Sequence, residues 1–356
     1  MQEKLVVDVA ILFSHPNDLG VDLERHGIRV LRLNAPHKWA FYSILSSIVK
    51  LQRERQYDIF WGHLYFGNLY ASLSAIFFSS IKTAVTFHSE GYAGIESMLL
   101  KEKLLTLIER SAIRRSDAKV AVSLAVSKDY STFFNWSDIQ IIYNGVATQD
   151  LPSAVTSDQK ARIRKSYHFD ASEFLLVTPA RFVEKKGHRV LLEALSLMKS
   201  NRKWCPKLVA CGQGPLHDEL ISLTKELGVE EDVRIVSPIL HKELMELILS
   251  ADAVVLPSLR EPFGIAAAEA MALGKPVLLS RIDGFLELVG DSDSAMLFTV
   301  GDSKNLEKSL WDLHSNRQLQ IDLGSRAKKR IRENFDISVC ASKWTDLFEQ
   351  LLEVKS

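Results

Sequence analysis

Short apolar runs alternate with amphipathic segments along nearly the whole chain. The apolar runs span four to eight residues and show little polar alternation, which is typical of parallel strands buried on both faces. Strands separated by helical segments predict parallel sheets with crossover helices. The predicted strands are Val6–Phe13, Arg29–Leu33, Asp58–Gly62, Thr83–His88, Ala118–Val122, Ile139–Tyr143, Phe174–Thr178, Lys207–Ala210, Val233–Val236, Ala253–Leu256 and Val277–Ser280.

This pattern predicts two α/β domains. Residues 1–150 form the first and residues 171–336 the second, with the polar segment 151–170 between them as a linker. A length of 356 residues fits two domains of ordinary size. The last segment, 337–356, has the apolar side of an amphipathic helix.

Composition narrows the class of protein. A hydrophobic content of 47% and a charged content of 25% are ordinary for a globular protein. The 44 Lys and Arg residues balance 44 Asp and Glu residues, so no net charge favours nucleic acid as a partner. Three cysteines without metal-ligand spacing indicate a reducing, cytoplasmic setting. No apolar run approaches the roughly 18 residues that a spanning helix needs.

Two glutamates near the predicted strand Ala253–Leu256 carry the strongest chemical signal. Glu261 and Glu269 flank a Pro-Phe-Gly turn and the start of an Ala-rich helix. A helix N-terminus that follows a strand is suited to an anion, because free N–H groups and the helix dipole point at the ligand. Glu269 lies in a segment that is apolar nearly all round, so its carboxylate needs a partner. That partner is either a pair of sugar or ribose hydroxyls, or a core Arg or Lys.

A basic cluster precedes another predicted helix of the second domain. Arg181 follows the strand Phe174–Thr178, and Lys186 stands one loop later, next to Gly187. Two fixed cations near a helix N-terminus suit a nucleotide diphosphate. The alternative is an exposed basic loop.

Two further segments stand at the ends of predicted strands. Gly212 belongs to a Gly-Gln-Gly-Pro turn, where a glycine lets the backbone approach a ligand closely. His88 ends a strand of the first domain, at the edge where such sheets bind ligands. His63 ends another strand there, and either borders a site or has a structural role.

Together these motifs resemble those of the family-4 retaining glycosyltransferases with the GT-B fold, whose signature is a glutamate pair with seven residues between its members. The resemblance extends over most of the chain. It implies two Rossmann-like domains facing across a cleft, with the C-terminal helix crossing back to the first domain. It assigns catalysis to His88, Arg181, Lys186 and Glu261. It assigns donor binding to Gly212, Phe263, Gly264, Ile265 and Glu269.

Three positions depart from the family pattern. Ala180 stands where the family has Gly before the Arg, Ala147 replaces the Asp of an Asn-Gly-Val-Asp element, and Asp283-Gly284-Phe285-Leu286-Glu287 replaces Gly-Gly-x-Pro-Glu. The opening also differs. Either the family's first strand-helix unit is missing, or Val6–Phe13 takes the place of that first strand and residues 14–20 form its loop.

The resemblance implies transfer of a sugar, with retention, from a nucleotide-diphosphate sugar to a glycan or lipid-linked acceptor. The pathway would be bacterial surface-polysaccharide or glycolipid assembly. Neither a metal nor another cofactor is expected. The basic amphipathic segment 97–116 either contacts the inner face of a membrane or packs with a solvated side. The alternatives are a sugar-nucleotide epimerase, a phosphorylase and a non-catalytic partner subunit.

Overall fold

The protein folds into two compact units in a computed structural model that describes residues 5–13, 20–78, 80–89, 91 and 100–353. One unit comprises Met1–Val122, Val126–Ile142 and Ser342–Ser356. The other comprises Ser123–Ala125 and Tyr143–Ala341. The chain therefore changes unit after Ile142, before the polar segment that the sequence marked as a linker.

Strands and helices alternate before residue 143, as the apolar pattern predicts. The elements are β1 (Asp8–Ile11), α1 (Gly20–Arg25), β2 (Arg29–Arg32), α2 (Phe41–Arg55), β3 (Ile59–His63), α3 (Leu64–Ser74), β4 (Lys82–Phe87), α4 (Leu100–Ile113), β5 (Ala118–Ala121), α5 (Leu124–Phe134) and β6 (Ile139–Ile141). Each of these strands lies within two residues of its predicted position. Residues 14–19, which include most of the loop expected after the first strand, lie outside the described residues, as do residues 97–99.

The same alternation continues to the C-terminus. The elements are α6 (Ser157–Ser166), β7 (Leu175–Pro179), α7 (His188–Arg202), β8 (Lys207–Cys211), α8 (His217–Glu226), β9 (Val233–Val236), α9 (His241–Ser250), β10 (Ala253–Leu256), α10 (Ile265–Ala272), β11 (Val277–Ser280), α11 (Asp283–Val289), β12 (Met296–Phe298), α12 (Ser303–Ser315), α13 (Arg317–Asn334) and α14 (Ile337–Glu353).

The second unit contains one six-stranded parallel sheet in the order β9-β8-β7-β10-β11-β12. Successive residues of β7 face opposite sides of this sheet. Leu175 and Val177 pack in one core, and Leu176 packs in the other. All three are fully buried, which confirms the prediction of strands covered by helices on both faces.

The first unit has its described strands in two parallel sheets, β1-β2 and β3-β4-β5-β6. In the second unit the first strand, β7, is central because it pairs with both β8 and β10. Among the described residues, β1 pairs with β2 alone and β3 pairs with β4 alone. The arrangement does not support Val6–Phe13 as the central first strand of this unit.

The segment predicted as a linker, 151–170, is instead part of the second unit. It contains α6, which begins with a capping box formed by Thr156 and Gln159. Arg164 of this helix is 1% exposed and donates hydrogen bonds to the carbonyl of Ser250 and the carboxylate of Asp252. These charge-assisted contacts fix the helix to the loop before β10.

The C-terminal helix α14 packs on the first unit, as predicted. Leu347 and Phe348 share a core with Ala84 of β4 and Val120 of β5. The ring of Trp344 lies 4.4 Å from that of Trp61 on β3. Within the described part of the chain, no helix combines the length and the apolar character needed to cross a bilayer.

Candidate functional site

Three neighbouring strands of the second unit end at one edge of the sheet. The central strand β7 pairs with β8 on one side and β10 on the other, and all three run parallel. Arg181 follows β7, Gly212 follows β8 and Glu261 follows β10. Because the strand order reverses on either side of β7, this edge is the switch point where open α/β sheets bind ligands.

The loops after β7 and β10 are joined by an ion pair. Lys186 donates a hydrogen bond from Nζ to Oε2 of Glu261, and their side chains are 17% and 13% exposed. The backbone supports this contact, since Leu259 N–H donates to the carbonyl of Lys185 at 2.8 Å. The structure therefore brings together two residues that the sequence placed in separate motifs.

Glycines allow these loops to approach each other closely. Gly187 has φ +65°, and a Cβ at that position would lie 2.0 Å from the carbonyl oxygen of Pro257. A Cβ on Gly212 would lie 2.1 Å from the carbonyl oxygen of Ala180. Any side chain at either position would collide with backbone atoms, so both loops depend on glycine.

The N-terminus of α10 lies between the two glutamates. Gly264 is its N-cap residue, with φ +94°, and Ile265 is its first residue, 51% exposed. The ring of Phe263 is buried and lies 5.5 Å from that of Phe335. Phe263 thus anchors the turn through its side chain, and only its backbone is available to a ligand.

Glu269 does not pair with a core Arg or Lys among the described residues. Its carboxylate is 17% exposed and lies 2.8 Å from Nε2 of His241, the first residue of α9. The His241 side chain is 64% exposed. The partner of Glu269 is therefore an exposed imidazole rather than a core Arg or Lys, and a ligand hydroxyl can compete with it.

Arg181, which follows β7 after one residue, is exposed. Among the described residues it forms no ion pair, whereas Lys186 is paired with Glu261. An exposed cation without a protein counter-charge is available to an anionic ligand. Of the two cations predicted from the sequence, Lys186 is thus neutralised by a carboxylate, whereas Arg181 has no such partner among the described residues.

His188 is a residue that the sequence reading missed. It is 5% exposed, and neither ring nitrogen has a hydrogen-bond partner among the described residues. Burial, with a smaller effect of the Lys186 charge, lowers the pKa of His188 to about 4. Its only sequence signal was its position immediately after Lys186 and Gly187, at the start of α7.

The segment 283–285, which departs from the family pattern, supports the Glu261 loop. A Cβ on Gly284 would lie 2.1 Å from the carbonyl oxygen of Glu261, so α11 approaches that loop closely. A Cβ on Gly264 would lie 2.6 Å from the ring of Phe285. The glycine and the aromatic ring of this segment therefore hold the turn between the two glutamates in place.

The histidines predicted in the first unit lie in contact. His63 ends β3 and His88 follows β4, with 2.8 Å between Nδ1 of His63 and Nε2 of His88. Burial, and then the neighbouring His88, lowers the pKa of His63 to about 4. Burial also lowers the pKa of His88. Both rings are neutral at physiological pH.

A recess of about 540 Å³ opens at the same edge of the first unit, after β1 and β2. Aromatic rings form part of its wall, and Lys38 lies with Nζ 5.7 Å from the ring centre of Phe66. Its lining residues are Phe13, Asn34, Ala35, Pro36, His37, Lys38 and Phe66.

Metal ligation has no candidate in the described part of the chain, where no three His, Cys, Asp or Glu side chains are grouped to hold an ion. The Asp291-Ser292-Asp293 segment has the Asp-x-Asp sequence of a metal-binding motif, but it is not part of any such group among the described residues. There the Asp293 carbonyl accepts a hydrogen bond from Arg326 at 2.9 Å.

Family models match both parts of the chain. The model described as glycosyl transferases group 1 matches residues 159–330, and the model of glycosyltransferase family 4 matches residues 3–150. An uncharacterized glycosyltransferase of Methanocaldococcus jannaschii is 26% identical over 71% of this chain. The matched region spans 65% of that relative's length.

Solved structures share the fold over nearly the whole chain. Sucrose-phosphate synthase from Thermosynechococcus elongatus has a TM-score of 0.80 at 20% identity, covering 98% of this chain and 90% of its own. HepE from Anabaena, solved in complex with UDP-glucose, has a TM-score of 0.77 at 20% identity, covering 93% and 88%. At such identities the likeness shows the two-domain GT-B fold.

Proposed function

Since the chain belongs to the family-4, group 1 glycosyltransferases with the GT-B fold, we propose that it transfers a sugar, with retention, from a nucleotide-diphosphate sugar to an acceptor. The donor binds at the edge of the second unit where β8, β7 and β10 end. The observation that carries this proposal is the convergence of Arg181, Lys186 and Glu261 at that edge, beside the N-terminus of α10.

Arg181 and Lys186 hold the donor diphosphate. Arg181 is exposed and has no ion-pair partner among the described residues, so it can bind a phosphate without first breaking a protein contact. Lys186 has to exchange its contact with Glu261 for one with phosphate. A diphosphate offers several charged oxygens, which favours this exchange. The backbone N–H groups at the start of α10 add further donors.

Glu261 and Glu269 hold the two sugar rings of the donor. Once Lys186 moves to the phosphate, the Glu261 carboxylate is free to accept hydrogen bonds from hydroxyls of the transferred sugar. Glu269 accepts from the ribose hydroxyls, in place of or beside His241. Carboxylates that accept from hydroxyl pairs satisfy both groups in a half-buried site.

The reaction keeps the anomeric configuration without a protein nucleophile. The bond between the anomeric carbon and the diphosphate oxygen breaks as the acceptor hydroxyl attacks from the same face. The departing diphosphate takes the proton of that hydroxyl. Negative charge grows on the diphosphate as it leaves, and Arg181, Lys186 and the α10 amides stabilise it most strongly at that stage. In this scheme His88 borders the transferred sugar.

The acceptor is a glycan or a lipid-linked glycan of surface-polysaccharide or glycolipid assembly, bound by the first unit. In α4 of that unit, Leu104 and Leu107 are each 57% exposed beside the exposed Lys103 and Arg114. Exposed leucines with basic neighbours support contact with an anionic membrane on the cytoplasmic side.

Sedimentation with phosphatidylglycerol vesicles, compared with phosphatidylcholine vesicles, tests whether α4 contacts a membrane. A Leu104→Ser/Leu107→Ser variant should lose the binding.

Donor turnover tests the function itself. The protein is incubated with UDP-glucose, the donor in the HepE complex, and with GDP and ADP sugars, and release of the nucleoside diphosphate is measured. Proton NMR of the first-formed sugar product reports its anomeric configuration. Retention, with loss of activity in Lys186→Met and Glu261→Gln variants, supports the proposal.

Other outcomes separate the alternatives. Inversion at the anomeric carbon would contradict the proposed mechanism. Isomerisation of the sugar nucleotide without release of the diphosphate would indicate an epimerase. Sugar 1-phosphate formed from a glycan and phosphate would indicate a phosphorylase. A folded protein that turns over none of the donors would favour the non-catalytic role.

A further inference from the structure

The two histidines of the first unit lie on a rigid platform. Strands β3 and β4 pair in register, with His63 opposite Thr86. Asn68, which is 2% exposed, bonds both backbone groups of Thr86, donating to its carbonyl at 2.9 Å and accepting from its N–H at 3.2 Å. Trp61 donates from Nε1 to Oγ1 of the same threonine at 2.7 Å.

The turn after His63 carries backbone strain. Leu64 has φ +60°, in the left-handed region that a leucine seldom adopts, and its side chain is 66% exposed. Strain of this kind concentrates at functional sites. A Cβ on Gly62 would lie 2.7 Å from Cα of Asn68, so the turn is also tightly packed. The turn directs His63 towards β4 in spite of that strain.

His63 is exposed to solvent, but its ring has a contact on each side. The Trp61 ring lies 4.3 Å from it and in turn packs against Trp344 of α14. Nδ1 of His63 lies 2.8 Å from Nε2 of His88. Either neutral ring can donate the single proton of this contact, so the hydrogen bond couples the tautomers of the two histidines. Because Nε2 of His88 is hydrogen-bonded to His63, Nδ1 is the ring nitrogen of His88 that can contact a ligand.

We propose that His63 is a positioning residue that holds the His88 ring in one orientation, with Nδ1 of His88 presented to the bound sugar. Without that hydrogen bond the His88 ring can rotate about its side-chain torsions, so that a ligand would meet either ring nitrogen. This role rests on the proposed function, in which His88 borders the transferred sugar.

Three substitutions at one position isolate the hydrogen bond. His63→Phe keeps an aromatic ring against Trp61 and removes Nδ1. His63→Asn places a side-chain amide near the position of Nδ1 and restores a polar contact to His88. His63→Gln extends its amide to the position of Nε2, away from His88. A purely structural role of the ring would leave His63→Phe closest to the wild type.

Ring-nitrogen NMR gives a readout that does not depend on activity. Long-range proton–nitrogen correlation spectra of ¹⁵N-histidine protein report the tautomer of each ring, and His88→Gln identifies the His88 signals. Loss of the hydrogen bond should change the tautomer ratio of His88, so His63→Phe should shift its two ring-nitrogen signals towards the averaged values of free histidine. His63→Asn, which still offers a hydrogen-bond partner, should shift them less.

Kinetics on the best donor complete the test. The turnover number should fall roughly tenfold in His63→Phe and His63→Gln, the effect of one lost hydrogen bond, with little change in the donor KM. His63→Asn should recover most of the rate. An unchanged tautomer ratio of His88 or an unchanged rate in His63→Phe would overturn the positioning role. A tautomer change in a protein without transferase activity would instead contradict the proposed function alone.

Discussion

The ammonium of Lys186 is hydrogen-bonded to the carboxylate of Glu261, although 75 positions of sequence separate the two residues. Each lies in a loop after one of two neighbouring parallel strands, and each is less than one-fifth exposed. The pair neutralises two charges that a bound donor would otherwise engage separately. The ion pair therefore stabilises the folded protein, and in the proposed function it has to open before Lys186 can bind the donor diphosphate.

The Lys186–Glu261 pair should couple energetically. Lys186→Met leaves a half-buried carboxylate without its counter-charge and should lower the free energy of unfolding by about 2 kcal/mol. The double variant with Glu261→Gln should lose less than the sum of the two single variants, by about 1 kcal/mol. Urea denaturation of the four proteins measures this coupling. Strict additivity would mean that the contact contributes nothing to stability.

Gly187 should tolerate alanine less well than Gly228, which provides a matched control. Their φ angles are +65° and +66°, but a Cβ at Gly187 would lie 2.0 Å from a backbone oxygen, and a Cβ at Gly228 meets nothing within 4 Å. Gly228→Ala should cost about 1 kcal/mol of stability from backbone strain. Gly187→Ala should cost about 2 kcal/mol more from the collision. Equal losses in thermal unfolding would show that the loop after β7 yields easily.

His188 should make stability depend on pH. The pKa of His188 is about 4 in the folded protein and 6.5 when the ring is not buried. As the pH falls, the unfolded chain therefore binds a proton at this residue before the folded protein does. The contribution of His188 to the free energy of unfolding is fully present above pH 6.5 and is lost as the pH falls towards 4. Between pH 7 and pH 5 the loss attributable to this residue should be on the order of 2 kcal/mol.

His188→Leu removes the ionisable group from this buried site. The variant should therefore show a shallower fall in the free energy of unfolding over that pH range, measured by urea denaturation at several pH values. A slope equal to that of the wild type would show that the His188 ring reaches water when it is protonated.

The β1–β2 pair should exchange its amide protons faster than the sheet of the second unit. Val7 beside β1 is 48% exposed, whereas every residue of β7 is buried. Exchange follows local opening, and a strand pair with few buried contacts opens at low free energy. Hydrogen-exchange mass spectrometry should give rates for β2 at least roughly a hundredfold above those for β8. Equal protection would indicate that the first unit opens only with global unfolding.

The sequence predicted most of the strands because buried parallel strands leave short apolar runs that the chain shows directly. It missed β12, whose three residues Met296–Phe298 are too few to form a clear run. It also took residues 151–170 for a linker, although the Thr156–Gln159 spacing was the signal of a helix start. A polar surface helix has weak apolar periodicity, so its capping residues were the better evidence.

At the site, the sequence suggested the residues but not how they pair. Local motifs marked Glu261, Glu269 and Lys186, because each stands beside a turn or a helix start. The contact of Glu269 with His241 depends on how α9 and α10 pack, which no local spacing records. The burial of His188 without partners likewise follows from tertiary packing.

The proposed function requires that the edge formed by β8, β7 and β10 binds a nucleotide diphosphate. Calorimetric titration with UDP, GDP and ADP tests it on the wild type, Arg181→Ala and the control Arg202→Ala. Arg202 ends α7 and is paired with Glu307, far along that helix from its N-terminus. We expect one nucleotide to bind, and Arg181→Ala to weaken it by at least about 1.4 kcal/mol, a tenfold loss, while Arg202→Ala leaves it unchanged. A folded wild type that binds none of the three, or equal losses in both variants, would show that this edge is not the nucleotide site.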